Sequence, residues 1–258
     1  MDDLAVTEKV EIMRRFFLPS RQIHTNRGTI DGQELAHLRK VLRLKPGDRI
    51  TVFDDTGWEH EAVIRSLAGA QGEIEILSSS QPPRESPFQI TLAAGLTKGE
   101  KFDFVIEKAT ELGAHKIVPF TSTYSVPKLD ERKIAARTER WRKIALSAAK
   151  QCGGTRVPEV LPLCTFKEML IQPAHEGVKL FFWEKEAEQS LHEVYERQRD
   201  AKAVTLAIGP EGGFSAAEAN LAQSHGFKLV QLGRRILRAE TAAVTALSLA
   251  QFLWGDLG

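Results

Sequence analysis

Two glycine-bearing loops near the C-terminus carry the residues best suited to chemistry. The first is Gly209-Pro-Glu-Gly-Gly213, followed by Phe214 and Ser215. The second runs Gly233-Arg-Arg-Ile-Leu-Arg-Ala-Glu-Thr241 and places Arg234, Arg235 and Arg238 beside Glu240. Glycines let a backbone turn sharply and let a ligand approach its amides. Three arginines behind a buried strand are costly to desolvate unless anionic or polar groups meet them. Together the loops offer backbone donors, apolar contact from Ile236 and Leu237, and a strong positive field. The first loop alone reads equally as a tight strand-to-helix turn; the second, about 25 residues on, turns the pair into a candidate binding site.

Each loop closes a short apolar run, residues 203–209 and 227–233, and each is expected to be followed by a helix. Ser215 with Glu218 makes a capping-box pattern at the start of the first helix. In open α/β sheets ligands bind beyond the carboxyl ends of the strands, so two such loops on neighbouring strands predict one shared site. No glycine-rich loop ends in Gly-Lys-Ser/Thr and no G-x-G-x-x-G follows a strand, which disfavours nucleotide-phosphate chemistry.

The pair of segments 208–215 (Ile-Gly-Pro-Glu-Gly-Gly-Phe-Ser) and 232–241 (Leu-Gly-Arg-Arg-Ile-Leu-Arg-Ala-Glu-Thr) resembles the ribosomal small subunit methyltransferase E family, the 16S ribosomal RNA uracil-N3 methyltransferases of the SPOUT superfamily. The resemblance spans nearly the whole chain and is weakest over its first dozen residues. It implies an N-terminal PUA-like small β-barrel that binds RNA, and a C-terminal SPOUT α/β domain with a parallel sheet and a trefoil knot. It further implies S-adenosylmethionine as cofactor, 16S rRNA in the small ribosomal subunit as partner, and a homodimer.

On that resemblance, Ile208, Gly209, Pro210, Glu211, Gly212, Leu232, Gly233, Arg235, Ile236 and Leu237 are expected around the cofactor. Phe182 and Trp183 form a further wall, or are ordinary core aromatics. Thr241 bonds the cofactor, or caps the last helix. Arg238 is expected to stabilise charge growing on the uracil oxygens. Glu240 orients Arg238 or acts as base, orientation being favoured because a carboxylate beside arginines is a poor base. Lys98, Lys101 and Arg156 match family segments and are expected to contact RNA, as are Arg14, Arg15, Arg39, Lys40 and Arg43 in the N-terminal basic stretch. A methyltransferase of another RNA, or a non-catalytic RNA-binding assembly factor, would use the same fold. The intact glycine and Arg-Ala-Glu-Thr segments favour a retained cofactor site.

Net charge is only +1, so any nucleic-acid contact must come from local patches. Residues 14–49 hold nine Lys/Arg against three Asp/Glu, residues 128–143 hold seven against three, and the balance reverses over 54–85. Cys152 and Cys164 are the only cysteines and lack ligand spacing, which points to a reduced, cytoplasmic protein without a metal site. No run of 18 apolar residues suits a membrane, and the Met-Asp-Asp-Leu start does not read as a secretory signal.

Residues 1–12 read as a frayed extension and 13–18 as a strand. Asp31 and Glu34 suggest a capping box for a helix over 33–44 with Leu35, Leu38, Val41 and Leu42 on its buried face. Strands are expected over 49–54, 58–66 and 73–77, a small mostly β domain. The proline- and serine-rich segment 78–87 marks a linker, giving domains 1–80 and 88–258 joined by 81–87. Strands and helices then alternate: strands near 89–96, 115–120 and 179–183, helices to 112, over 130–152, 166–171 and 190–199. That order predicts a parallel sheet. The last helix, 242–254, is apolar round most of its girth and is expected to be buried in a core or subunit interface.

Overall fold

In the computed structural model, residues 14–83, 85–125, 130–172, 177–185 and 189–258 are described. The expected extension over 1–12 and the first residue of the first strand, Met13, lie outside them. The chain divides into two units, one running to Glu85 and including Ala149–Val157, the other made of Ser86–Ala148 and Pro158–Gly258. The return of Ala149–Val157 to the first unit was not foreseen from the sequence, because periodicity along a helix says nothing about which body its last turn joins.

The first unit is built on strands β1 (Arg15–Phe17), β2 (Ile23–His24), β3 (Arg27–Asp31), β4 (Arg49–Phe53), β5 (Glu59–Ser66) and β6 (Gln71–Ser80). They form one sheet in the order β1-β4-β5-β6-β3-β2. Phe16, Leu18, Ile30, Leu38, Ile50, Val52, Ile64 and Ile74 form its core. β6 runs through Ser80, pairing Ser78, Ser79 and Ser80 with Glu61, His60 and Glu59. The start of the expected linker at Ser78 is thereby corrected. Serine is a weak strand former, but the ladder and the 2.8 Å contact of the Ser79 hydroxyl with His60 Nδ1 hold it.

Helix α1 (Gly32–Ala36) passes directly into a π-helical turn, His37–Val41. The expected capping box is absent: Asp31 makes no side-chain cap, accepting instead from Gln22 Nε2 at 3.2 Å, and Glu34 pairs with Lys150. The wider turn, with the Leu42 N–H reaching His37 at 3.1 Å, breaks the 3.6-residue period. Leu35 and Leu38 therefore face the core while Val41 is 67% exposed, against the expected buried face.

The second unit comprises β7 (Gln89–Gly95), α2 (Lys101–Glu111), β8 (Lys116–Thr121), α3 (Glu131–Cys152) as far as Ala148, β9 (Glu159–Val160), β10 (Cys164–Thr165), α4 (Phe166–Ile171), β11 (Val178–Phe182), β12 (Gln189–Ser190), α5 (Leu191–Arg197), β13 (Ala203–Ile208), α6 (Ala216–Ser224), β14 (Lys228–Gln231) and α7 (Ala239–Trp254). The strands lie in the order β10-β8-β7-β13-β11-β14-β12, with β9 also on β8, and all the pairings are parallel. β13 is buried at every position, as a strand covered on both faces must be. Phe120, Phe166, Phe181, Phe214 and Phe227 fill one side of the sheet. On the other, α7 packs on α2, β7 and β13.

The last helix begins three residues earlier than expected, at Ala239, so Glu240 and Thr241 lie within its first turn. Its buried stripe is Ala239, Ala243, Ala246, Leu247, Ala250 and Gln251, whereas Phe252 is 60% exposed and Leu249 36%.

Candidate active site

Three neighbouring strands, β13, β11 and β14, end side by side in a parallel sheet, so their carboxyl-terminal loops converge. Between these loops lies a pocket of about 460 Å³, within the usual range for small-molecule sites. Phe182, Trp183 and Glu184 come from the end of β11, Ile208 through Phe214 from β13, and Gln231 through Gly233 with Arg235 through Ala239 from β14. Every residue expected around the cofactor lines it except Thr241. Thr241 is exposed in the first turn of α7, and Arg238 occupies the capping position, so the capping role expected for Thr241 is corrected.

Packing and caps fix the first loop. The Ser215 side chain accepts the Glu218 N–H, and the Glu218 carboxylate accepts the Ser215 N–H and hydroxyl at 2.9 Å each, completing the predicted capping box. The other Glu218 oxygen accepts the Thr123 N–H at 2.8 Å, which ties the turn after β8 to the loop. Gly213 takes a positive φ of 66°. A Cβ on Gly212 would lie 2.6 Å from Tyr124 Cβ, and one on Gly95 would lie 2.5 Å from Pro210 N. Gly95, at the end of β7, was missed in the sequence because a glycine that makes room for a distant backbone has no local signature.

Charges around the pocket fall into committed and uncommitted groups. Glu211 Oε1 accepts the Lys98 N–H at 3.1 Å and Lys101 Nζ at 3.2 Å. Partial burial pushes the Glu211 carboxyl up, but hydrogen bonds from Lys98, from its own backbone and from Lys101 outweigh this and hold its pKa below the usual 4.5. The Lys101 ammonium is thus engaged within the protein, while the Lys98 side chain is exposed. Arg235 and Arg238 line the pocket and are exposed; Arg234 is exposed but outside the lining. Glu240 makes no ion pair with any of them among the described residues, and its Oε2 is buried without a hydrogen bond. The expectation that Glu240 orients Arg238 is corrected on that ground: Glu240 stands in the first turn of α7, outside the pocket lining, and makes no bond to Arg238.

The donors fit a ligand read by backbone groups. Among the described residues, the amides of Gly233 through Arg238 donate no hydrogen bond within the chain. Trp183 is buried, and its indole Nε1 has no partner. No cluster of three His, Cys, Asp or Glu side chains suited to a metal occurs among the described residues. The Cys164 thiol is pushed up to about 11 by burial and by Glu168, which makes it a poor nucleophile.

The remaining expected RNA contacts fall mostly in the first unit. Lys40 and Arg43 are exposed, Arg14 is half-buried, and the half-buried Arg39 donates to the carbonyls of Gly69 and Leu67. Arg156 is exposed, its N–H held by Glu85 Oε1 at 2.9 Å. Arg15 is a correction. It is 4% exposed, pairs with Glu59 at 2.7 Å and donates to the Gly154 carbonyl at 3.0 Å, so it has no face left for a phosphate.

A parallel α/β sheet with this pocket, in a chain that also carries a small β unit, defines an RNA methyltransferase: the RNA methyltransferase domain family matches residues 84–251, and the RNA methyltransferase PUA domain matches 30–77. Similar proteins narrow this. The chain is 32% identical to the ribosomal RNA small subunit methyltransferase E of Bacillus subtilis (strain 168), over 92% of this chain and 95% of that one. It is 33% identical to the protein of that name from Synechocystis sp., over 91% and 76%. A crystal structure of a ribosomal RNA small subunit methyltransferase E from Neisseria gonorrhoeae, bound to S-adenosyl methionine, superposes with a TM-score of 0.84 at 35% identity, covering 95% of this chain and all of that one. The chain belongs to the ribosomal RNA small subunit methyltransferase E family.

Proposed function

We propose that this chain methylates N3 of a specific uridine in 16S rRNA, with S-adenosylmethionine as methyl donor and the assembled small ribosomal subunit as substrate. The observation that carries the reading is the pocket at the ends of β11, β13 and β14, where uncommitted backbone amides and Arg238 converge. S-adenosylmethionine, when bound, supplies an electrophilic methyl group on a sulfonium. Unpaired amides of the 233–238 loop and the Trp183 indole N–H suit its adenine edge and polar groups, and Phe182, Ile208 and Leu237 supply apolar walls.

Uracil N3 carries a proton, and negative charge spreads onto the O2 and O4 carbonyls as that proton leaves. A fixed guanidinium facing those oxygens stabilises the transition state more than the ground state. Arg238 is the residue assigned to this. It lines the pocket at the head of α7 and has no carboxylate partner among the described residues. The catalytic assignment rests on Arg238; Glu240, outside the lining, has none in this reading.

Residues 1–80 are assigned to a PUA-like barrel that holds RNA by phosphate contacts, with 81–87 as linker and 88–258 as a SPOUT domain carrying a trefoil knot. The exposed Leu249 and Phe252 on α7 support a homodimer in which a second copy covers them. We place the protein in the cytoplasm; no helix among the described residues is long and apolar enough to cross a membrane.

The test is methyl transfer from labelled S-adenosylmethionine to unmodified small subunits and to naked 16S rRNA, with mass spectrometry of the digested nucleosides. N3-methyluridine on the subunit is the expected product. R238A should abolish transfer while keeping cofactor affinity; retained turnover would remove Arg238 from the mechanism.

A further inference from the structure

We infer that Glu184 is the pocket's counter-charge for the positive end of the methyl donor, a cofactor-positioning residue. The inference rests on the reading of this pocket as an S-adenosylmethionine site. Glu184 follows β11 and lines the pocket. Its backbone is pinned by Gln231 Nε2, which donates to the Glu184 carbonyl at 3.1 Å. Its carboxylate lies against the glycine loop: a Cβ on Gly213 would sit 3.0 Å from Oε1 and 3.4 Å from Oε2. Gly213 has a positive φ and no side chain, so the carboxylate rests over bare backbone on the pocket wall.

Among the described residues two acidic side chains line the pocket, and they differ in what they hold. Glu211 is satisfied by Lys98 and Lys101. The Glu184 side chain has no hydrogen bond or ion pair among the described residues. Arg235 and Arg238, the cations of the lining, make no bond to it. S-adenosylmethionine brings a sulfonium and an α-ammonium against one carboxylate, a net positive charge. A cation entering a largely apolar cleft loses hydration and needs an anionic partner. Among the described residues, Glu184 is the acidic lining residue whose charge is uncommitted. The methyl donor's demethylated product, S-adenosylhomocysteine, lacks the sulfonium charge, so a carboxylate near that sulfur would also favour donor over product.

Titration calorimetry on the full chain tests this with three ligands. For E184Q, S-adenosylmethionine affinity should fall about tenfold, the difference between a charge-assisted and a neutral hydrogen bond. 5′-Methylthioadenosine, which is uncharged and has no amino-acid tail, should bind wild type and E184Q equally. S-Adenosylhomocysteine locates the contact: an equal loss places Glu184 at the ammonium, and an unchanged affinity places it at the sulfonium. Unaltered S-adenosylmethionine affinity in E184Q would overturn the assignment. So would an equal loss for methylthioadenosine, because Glu184 would then only shape the loop. E184D, which keeps the charge, should recover part of the affinity. Failure of the wild-type chain to bind S-adenosylmethionine would instead refute the reading of the pocket itself.

Discussion

The buried carboxylate of Glu218 accepts the Thr123 N–H at 2.8 Å and so joins two loops far apart in sequence. Its other oxygen accepts the Ser215 N–H and hydroxyl, which makes one side chain both the cap of α6 and the latch of the turn after β8. The latched turn carries Tyr124, whose Cβ lies 2.6 Å from where a side chain on Gly212 would begin. E218A should therefore cost about 2–4 kcal/mol, from stranded donors and a lost cap. E218Q keeps acceptor capacity on one side and should cost less. Thermal unfolding gives the order wild type, E218Q, E218A. Calorimetry should show cofactor affinity falling in the same order, because the glycine loop loses its support. Unchanged affinity in E218A would mean that the loop holds its shape without the latch.

Close approach of two backbones makes the second prediction. A Cβ at Gly95 would meet Pro210 N and Cδ at 2.5 Å and the Gly209 carbonyl carbon at 3.0 Å. Backbone and a proline ring do not yield as a flexible side chain does, so G95A must push β7 and the first loop apart. We expect a stability loss of about 1–3 kcal/mol with cofactor affinity lowered sharply. Gly226, at φ 83° with open space about it, is the control. G226A should carry backbone strain but leave cofactor affinity alone. Equal effects of both variants on affinity would separate Gly95 from the site.

Those two cases mark how far the sequence was legible. The strand–loop–helix repeat is local, so the glycine loops, the Ser215–Glu218 box and the parallel order could be read from spacing alone. Glu218 as a latch, Gly95 as a clearance and Glu184 as a wall depend on residues brought together only by the sheet order β7-β13-β11-β14. Local rules failed where a tertiary partner won. Glu34 forsakes its capping box for Lys150, and Ser78–Ser80 leave the expected linker for the β5 ladder. Thr241 and Glu240 were misplaced because Arg238, a poor side-chain cap, starts α7 with extended backbone and no side-chain bond. Charge counting named Arg15 a phosphate contact, since composition cannot distinguish a solvated arginine from a buried one.

The arginines of the first unit should accordingly separate in experiment. R15A removes a buried ion pair with Glu59, at a cost of about 3–5 kcal/mol, the range for breaking such a pair. It should lower the unfolding temperature of the chain. K40A and R43A remove exposed charges and should leave stability nearly unchanged. Each should reduce the slope of log affinity against log salt for RNA by about one. Arg43 adds a further contrast, because it is held at φ 53°. R43G relieves that left-handed strain, so it should be at least as stable as R43A while binding RNA no better. A stable R15A with a reduced salt slope would reverse the assignment.

Acid should act on the pocket through Glu211. Its carboxyl is held below 4.5 in the fold, chiefly by the Lys98 N–H, its own backbone and Lys101 working against partial burial. A group whose folded pKa is depressed stabilises the native state above its unfolded value and loses that contribution as pH falls through the folded one. The bonds from Lys98 and Lys101 should therefore hold unchanged through neutral and mildly acidic solution. Below about pH 4.5 they should weaken as the carboxyl takes a proton, freeing the first loop from the segment after β7. The wild-type chain should lose unfolding temperature over that acidic range by more than E211Q does. E211Q should in turn be less stable than wild type at neutral pH, because the amide supplies a weaker acceptor to Lys101. Parallel acid profiles for the two proteins would show that Glu211 contributes nothing to the native state through its charge.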